Sequence, residues 1–226
     1  MNTSEQKVSS VEINCKCEAQ AKTAILNFLD KLGIKKIVYV DDRCSINELK
    51  EAFVGKLKAH YNNKPCELDF LNWELPEAVF EKEITKLWDD KSDEEKRELY
   101  LKILRFENNL EELSNSVAPL RLKTILKDKI ELLAPSEWIV QKSSIINELS
   151  NNTKILFLFD IEFKHAPLPD NRDGRDLAFE LLQDSTVCKF LYCGIFSHLF
   201  SINDEYDKRC EYCKTHHLDK EKFYTI

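Results

Sequence analysis

The sequence predicts an α/β domain built on a five-stranded parallel sheet, and three observations carry that prediction. Two short apolar runs end in acids: Lys36 to Val40 (KIVYV) leads into Asp41 and Asp42, and Ile155 to Phe159 (ILFLF) leads into Asp160. An unbroken apolar run of this length reads as a strand buried on both faces. Such runs alternate along the chain with stretches of helical periodicity, the pattern of a parallel sheet covered by helices. Gly is scarce, with four in 226 residues, and Lys and Glu are common, which favours helices over a β-sandwich. Acids at the C-terminal ends of buried strands fall in the crevice where open α/β sheets place their chemistry. Asp41, Asp42 and Asp160 are therefore expected to share one acidic pocket.

Taken in order, residues 1–17 form a polar tail with a lone C-x-C at Cys15 and Cys17. Ala21, Ile25, Phe28, Leu29 and Leu32 lie at helical spacing, and Gly33 is a stop signal. The first strand follows at Lys36 to Val40. Ser45, with Glu48 three residues on, predicts a capping box for a helix carrying Ile46, Leu49, Phe53 and Leu57 to about Tyr61. From about 62 to 127 the alternation breaks into a helical insertion. Pro76 starts one helix, 93–106 forms a second, and Leu110 to Leu126 supplies more apolar residues. Cys66, Phe70 and Trp73 are expected to help dock it. Lys129 to Leu133 is a short strand ended by Pro135, and Ser136 is expected to cap a helix to Leu149. After the strand ending at Asp160 come a loop over 164–174, a helix over 175–183, and a fourth strand from Val187 to Cys193, stopped at Gly194. A last helix carries Tyr206, Cys210 and Cys213, and Phe223 to Ile226 reads as a fifth strand.

The formal net charge of −7 argues against nonspecific nucleic-acid binding as a main role. The N-terminus lacks an apolar leader and no run approaches a membrane span. With eight Cys in the chain, a cytosolic protein with reduced thiols is the expectation.

At the acids the chain resembles the receiver domain of two-component response regulators, which has the flavodoxin-like fold. The residues that carry the resemblance are IVYVDD at Ile37 to Asp42, LFLFD at Leu156 to Asp160, DGRDLAFELL at Asp173 to Leu182 and KFLYCG at Lys189 to Gly194. It covers about Lys35 to Ile226, leaving out the insertion. The resemblance implies that Asp160 is the phosphoacceptor, that Asp41 and Asp42 hold Mg²⁺ with Asp160, and that Glu162 offers its backbone carbonyl to the metal. It further implies a histidine-kinase-like donor and a regulatory, non-enzymatic role, with the insertion as a surface for a protein partner or self-association. Such a ligand set suits Mg²⁺, which takes a few hard oxygens in octahedral geometry and keeps several waters.

Two departures stand out. The Thr or Ser that receivers carry at the end of strand four falls on Cys193 or Gly194, with Ser197 out of register. The Lys that follows strand five would lie beyond Ile226, which leads to the expectation that this is a domain of a longer protein. Divergent receivers with insertions also resemble modules of bacterial anti-phage systems. The departures leave open a pseudo-receiver, an interaction module that keeps the shape without phosphotransfer. Asp160-x-Glu162 also resembles the haloacid-dehalogenase phosphatases, Mg²⁺-dependent hydrolases whose nucleophile lies on their first strand rather than the third. Cys210, Cys213 and His217 share a helical face that could hold a metal, set against a partly buried helix with a polar end. His165 reads as a loop residue rather than a catalytic base.

Overall fold

The computed structural model describes residues 19–150, 152–165, 167–196 and 205–225. Its centre is an all-parallel sheet of β1 (Ile34–Val40), β2 (Ile130–Leu133), β3 (Lys154–Asp160), β4 (Leu191–Phe196) and β5 (Phe223–Thr225), in the spatial order β2-β1-β3-β4-β5. The order reverses at β1, between the edge strand β2 and the central β3. That reversal brings the end of β1 beside the end of β3, with Val40 paired to Phe159. The acids that follow are neighbours for this reason.

Alternate residues face opposite sides of the sheet. Val38, Val40, Phe157 and Phe159 join Trp138 and Ile145 of helix α6 (Pro135–Asn147) and Leu177, Ala178 and Leu181 of α7 (Gly174–Gln183). Trp138 anchors that face, its ring 5.5 Å from each of Phe157 and Phe159. Burial of a large side chain of this kind stabilises by about 1.5–3 kcal/mol. Ile37, Tyr39, Leu156, Leu158 and Tyr192 face the other way, against Leu29 of α1 (residues 19–32) and Leu126 of α5 (Leu110–Leu126). Gly33 ends α1 with φ at +70°, a conformation that L side chains rarely adopt.

Between β1 and β2 the chain runs through α2 (Lys50–His60), α3 (Glu77–Asp89), α4 (Asp93–Phe106) and α5. Phe53 and Leu57 of α2 pack with Phe80, Ile84 and Trp88 of α3 and with Tyr100, Ile103 and Leu104 of α4. The α2 helix thus belongs to the core of the inserted helices rather than covering the sheet. Trp73, stacked on Phe80 with ring centroids 5.1 Å apart, and Phe70 pack inside the same core, while Cys66 is exposed. Pro119 lies inside α5. It has no N–H to give the carbonyl of Asn115, so the continuous helix runs through that position one backbone hydrogen bond short.

Three boundary expectations are corrected. The fourth strand starts at Leu191 and continues through Gly194 to Phe196, because Val187 and Cys188 turn back to the carbonyl of Asp184 and 188–190 form a 3-10 turn. Gly194 is not a stop; it sits in the middle of the ladder, opposite Leu158 and Tyr224. Ser45 forms no capping box, since Glu48 instead accepts a hydrogen bond from Ser136 Oγ at 2.5 Å. Ser136 consequently caps nothing. Ala134 is the N-cap of α6, Pro135 takes the first helical position, and Glu137 accepts from the Ala134 amide at 2.7 Å. The tail at 1–17, including Cys15 and Cys17, lies outside the described residues, as do Ser197 and Ile226.

No helix among the described residues is long and apolar enough to cross a membrane.

Candidate functional site

The ends of β1 and β3 deliver Asp41, Asp42 and Asp160 to one place. One carboxylate oxygen of each lies within 4.8 Å of the others, and all three residues are buried, Asp42 completely. Each is held by its neighbours. Asp41 accepts from Tyr39 Oη and from the Arg43 amide, both at 2.8 Å. Asp42 accepts from the backbone amide of His165. Asp160 accepts from the Ile161 amide at 2.9 Å. The start of α7 packs directly on the end of β3, and only Gly fits there: a Cβ on Gly174 would stand 1.9 Å from the Asp160 carbonyl oxygen. Gly174→Ala is expected to cost on the order of 3 kcal/mol through forced displacement of that strand end, read as a lower urea midpoint. An unchanged midpoint would mean that the strand end yields to the methyl group at no cost.

The acids share a cation from their own chain. Arg43 is 3% exposed, and its Nη1 lies 3.2 Å from Asp160 Oδ2, 3.4 Å from Asp42 Oδ1 and 3.6 Å from Asp41 Oδ1. The other edge of the guanidinium donates to Glu112 of α5, from Nε to Oε1 at 3.1 Å and from Nη2 to Oε2 at 3.0 Å. Glu112 also meets His165 Nε2 at 3.1 Å. Four carboxylates thus face one guanidinium, and the balance of burial and pairing differs among them. Burial, helped by the charge of Asp41, pushes the Asp160 carboxyl up to about 7 against the pull of Arg43. Burial likewise pushes Asp42 up to about 6, against the His165 amide and Arg43. Burial acts upward on Glu112 too, but hydrogen bonds from His165 and Arg43 win and hold it down at about 2. Burial and Asp41 raise the Tyr39 phenol well above its usual range, so it serves Asp41 as a neutral donor.

A cavity of about 20 Å³ lies beside the cluster, bounded by Tyr39, Asp41, Arg43, Asp160 and Phe196, with Asn115 and Ala118 of α5 closing one side. That is room for one water or one small ion.

The other expected residues fall elsewhere. Cys193 stands opposite Phe157, inside the apolar core and fully buried; the residue paired with Asp160 is Phe196. The strand runs on past Gly194 to Phe196, which sets Cys193 back from the strand end. The Glu162 side chain turns to Lys164 Nζ at 3.0 Å. Cys213 is buried, and His217 stands past the end of α8 (Glu205–His216) with φ at +55°, where the shared helical face no longer applies. Among the described residues the three aspartates are the one His/Cys/Asp/Glu group close enough to share an ion. Sequence reasoning missed Arg43, Glu112 and Tyr39, and it undervalued His165. Arg43 was open to detection, since it directly follows the acid pair.

Comparison with protein-family models, with curated proteins and with solved structures finds no match to this chain.

Proposed function

We propose that this chain is a flavodoxin-like receiver module in which Asp160 accepts a phosphoryl group. The observation that carries the reading is the arrangement of acids: two end β1 and one ends β3, where a parallel sheet of order 2-1-3-4-5 reverses direction. Sheets of this order bind their ligands at that crevice. Asp160 Oδ would attack the phosphorus of an acyl phosphate or phosphohistidine donor. The new bond is P–O to Asp160, and the old bond from phosphorus to the donor's O or N breaks with its electron pair leaving on the donor.

The donor set fits Mg²⁺: three carboxylates converge, they outnumber the cation that pairs them, and the adjoining space suits one ion. Asp41, Asp42 and Asp160 would hold it with the Glu162 carbonyl, and it would supply charge that favours ionised Asp160 and neutralises the phosphoryl oxygens. Before an ion binds, Arg43 is the cation that pairs with Asp160. The module would take its phosphoryl group from a histidine-kinase-like protein and work in the cytosol, where its six described cysteines stay free.

One observation favours a second reading. The Arg43 guanidinium already fills the space among the aspartates, as it would in a pseudo-receiver that needs neither metal nor phosphoryl group. Incubation with acetyl phosphate and Mg²⁺, followed by intact-mass analysis, separates the two. The expected result is a gain of one phosphoryl group that requires Mg²⁺ and is lost in Asp160→Asn. No gain in the wild-type protein would leave the pseudo-receiver.

A further inference from the structure

We propose that Arg43 and Glu112 form a clasp through which the first half of α5 follows the state of the acid cluster. The inserted helices are then the part of the molecule that moves when the cluster is occupied. The proposal rests on the reading of that cluster as a site.

The guanidinium has two working edges. Nη1 faces Asp160 and Asp42, while Nε and Nη2 make a fork onto both oxygens of Glu112. A planar fork of this kind fixes direction as well as distance, so Arg43 cannot change what Nη1 meets without moving Glu112 or breaking from it. Glu112 is tied at the same time to His165, in the loop after β3, and to Ser116 Oγ, one turn on in α5.

The two halves of α5 are anchored to different bodies. Leu113 and Val117 pack on the core of α2, α3 and α4. Leu126 is buried against the sheet, with Leu122 and Ile125 partly buried beside it, and Lys123 Nζ donates to the Ile130 carbonyl at 2.6 Å. Pro119 lies between them, where the helix lacks a backbone hydrogen bond and bends most easily. The first half is thus placed to move with the insertion and the second to stay with the sheet.

Size supplies the need for motion. The space beside Asp160 is about 20 Å³, and Asn115 and Ala118, both before Pro119, close it. A phosphoryl donor is many times larger than a single water site, so its access to Asp160 requires this half of α5 to withdraw. Three aspartates that hold a divalent ion also cannot keep Nη1 at its present 3.2–3.6 Å from each of them. Arg43 would leave on the Glu112 side, taking the helix with it.

Hydrogen exchange by mass spectrometry on the full chain tests this, with Mg²⁺ alone and Mg²⁺ plus beryllofluoride as probes and calorimetry reporting occupancy. Without any probe, Glu112→Gln should raise exchange over 110–118 by about fivefold or more while 120–126 stays unchanged. Wild-type protein should show a similar rise once a probe is bound, and Glu112→Gln no further rise. Wild-type exchange in Glu112→Gln would overturn the clasp, and so would a bound probe that leaves 110–118 unchanged. Failure of both probes to bind would overturn the coupling as well. The acetyl phosphate adduct is scored separately. An adduct without a response in α5 removes the clasp and keeps the phosphoacceptor; a response to Mg²⁺ without an adduct does the reverse.

Discussion

Arg43→Met is expected to lower stability near neutral pH by about 3–5 kcal/mol, the usual cost of removing one partner from a buried ionic network. Methionine fills the volume of the arginine stem, so the loss is one of charge and donors rather than of packing. What remains is four carboxylates with no guanidinium among them, three of them held within 4.8 Å. Coulomb repulsion and desolvation then act in the same direction. The deficit should shrink as pH falls. Asp42 and Asp160 already bind protons more tightly folded than unfolded, with values near 6 and 7 against 3.8, and loss of the cation moves them higher. Protonation relieves the repulsion, and it sets in at higher pH in the variant, so the variant should approach the wild type as pH falls from about 8 through about 6, below which both acids are protonated in both folded proteins. Urea midpoints across that range provide the measurement. Equal midpoints for the two proteins at neutral pH would show that the network contributes nothing. Restoration of the variant by millimolar Mg²⁺, but not by the same ionic strength of NaCl, is the further expected result if the aspartates hold the ion.

The contrast between Arg43 and Glu112 shows what the sequence could reveal about this site. Asp41, Asp42 and Asp160 were legible because an unbroken apolar run identifies a buried strand and the first polar residue marks its end. Parallel pairing then brings such ends together without knowledge of a single tertiary contact. Arg43 carried a readable signal, a cation directly after two acids, but its partners lie as far as 117 residues on. Glu112 carried none. It sits in a helix whose charged residues look like any solvated face, and only the fold of the inserted helices brings it to the strand ends. The same limit explains α2. Its periodicity predicted a helix correctly, yet periodicity does not name the surface that an apolar face will meet. The displaced fourth strand has a different cause. Gly is a weak strand former in isolation, but in a central strand with a partner on each side the ladder and burial override that preference.

Asp160→Asn is expected to act in the opposite direction and to stabilise the protein by about 2–3 kcal/mol at pH 8. The Asp160 carboxyl stands at about 7 when folded against 3.8 in its ordinary state. At 1.36 kcal/mol per pK unit, keeping it ionised in the fold costs roughly 4 kcal/mol. An amide has the same shape and no charge to desolvate. It gives back on the order of 1 kcal/mol, because one oxygen cannot accept from both the Ile161 amide and Arg43 Nη1 as two do now. The sign of the pH dependence follows from linkage. With a raised folded value, the wild-type carboxyl contributes stability that is fully present below 3.8 and lost as pH rises through about 7. The advantage of the variant should therefore be complete above pH 8 and gone by about pH 4. Asp42 and Glu112 remain in both proteins and largely cancel in the difference. Asp41→Asn supplies the contrast: that carboxylate accepts from Tyr39 Oη and the Arg43 amide, so its neutral form should destabilise. Chemical denaturation of the three proteins at pH 4 and pH 8 would decide it. An Asp160→Asn variant no more stable than wild type at pH 8 would mean that Arg43 fully satisfies the charge and that Asp160 is a structural partner. A more stable variant that also fails to take a phosphoryl group would mark Asp160 as an acid kept at the expense of the fold, as residues held for chemistry are.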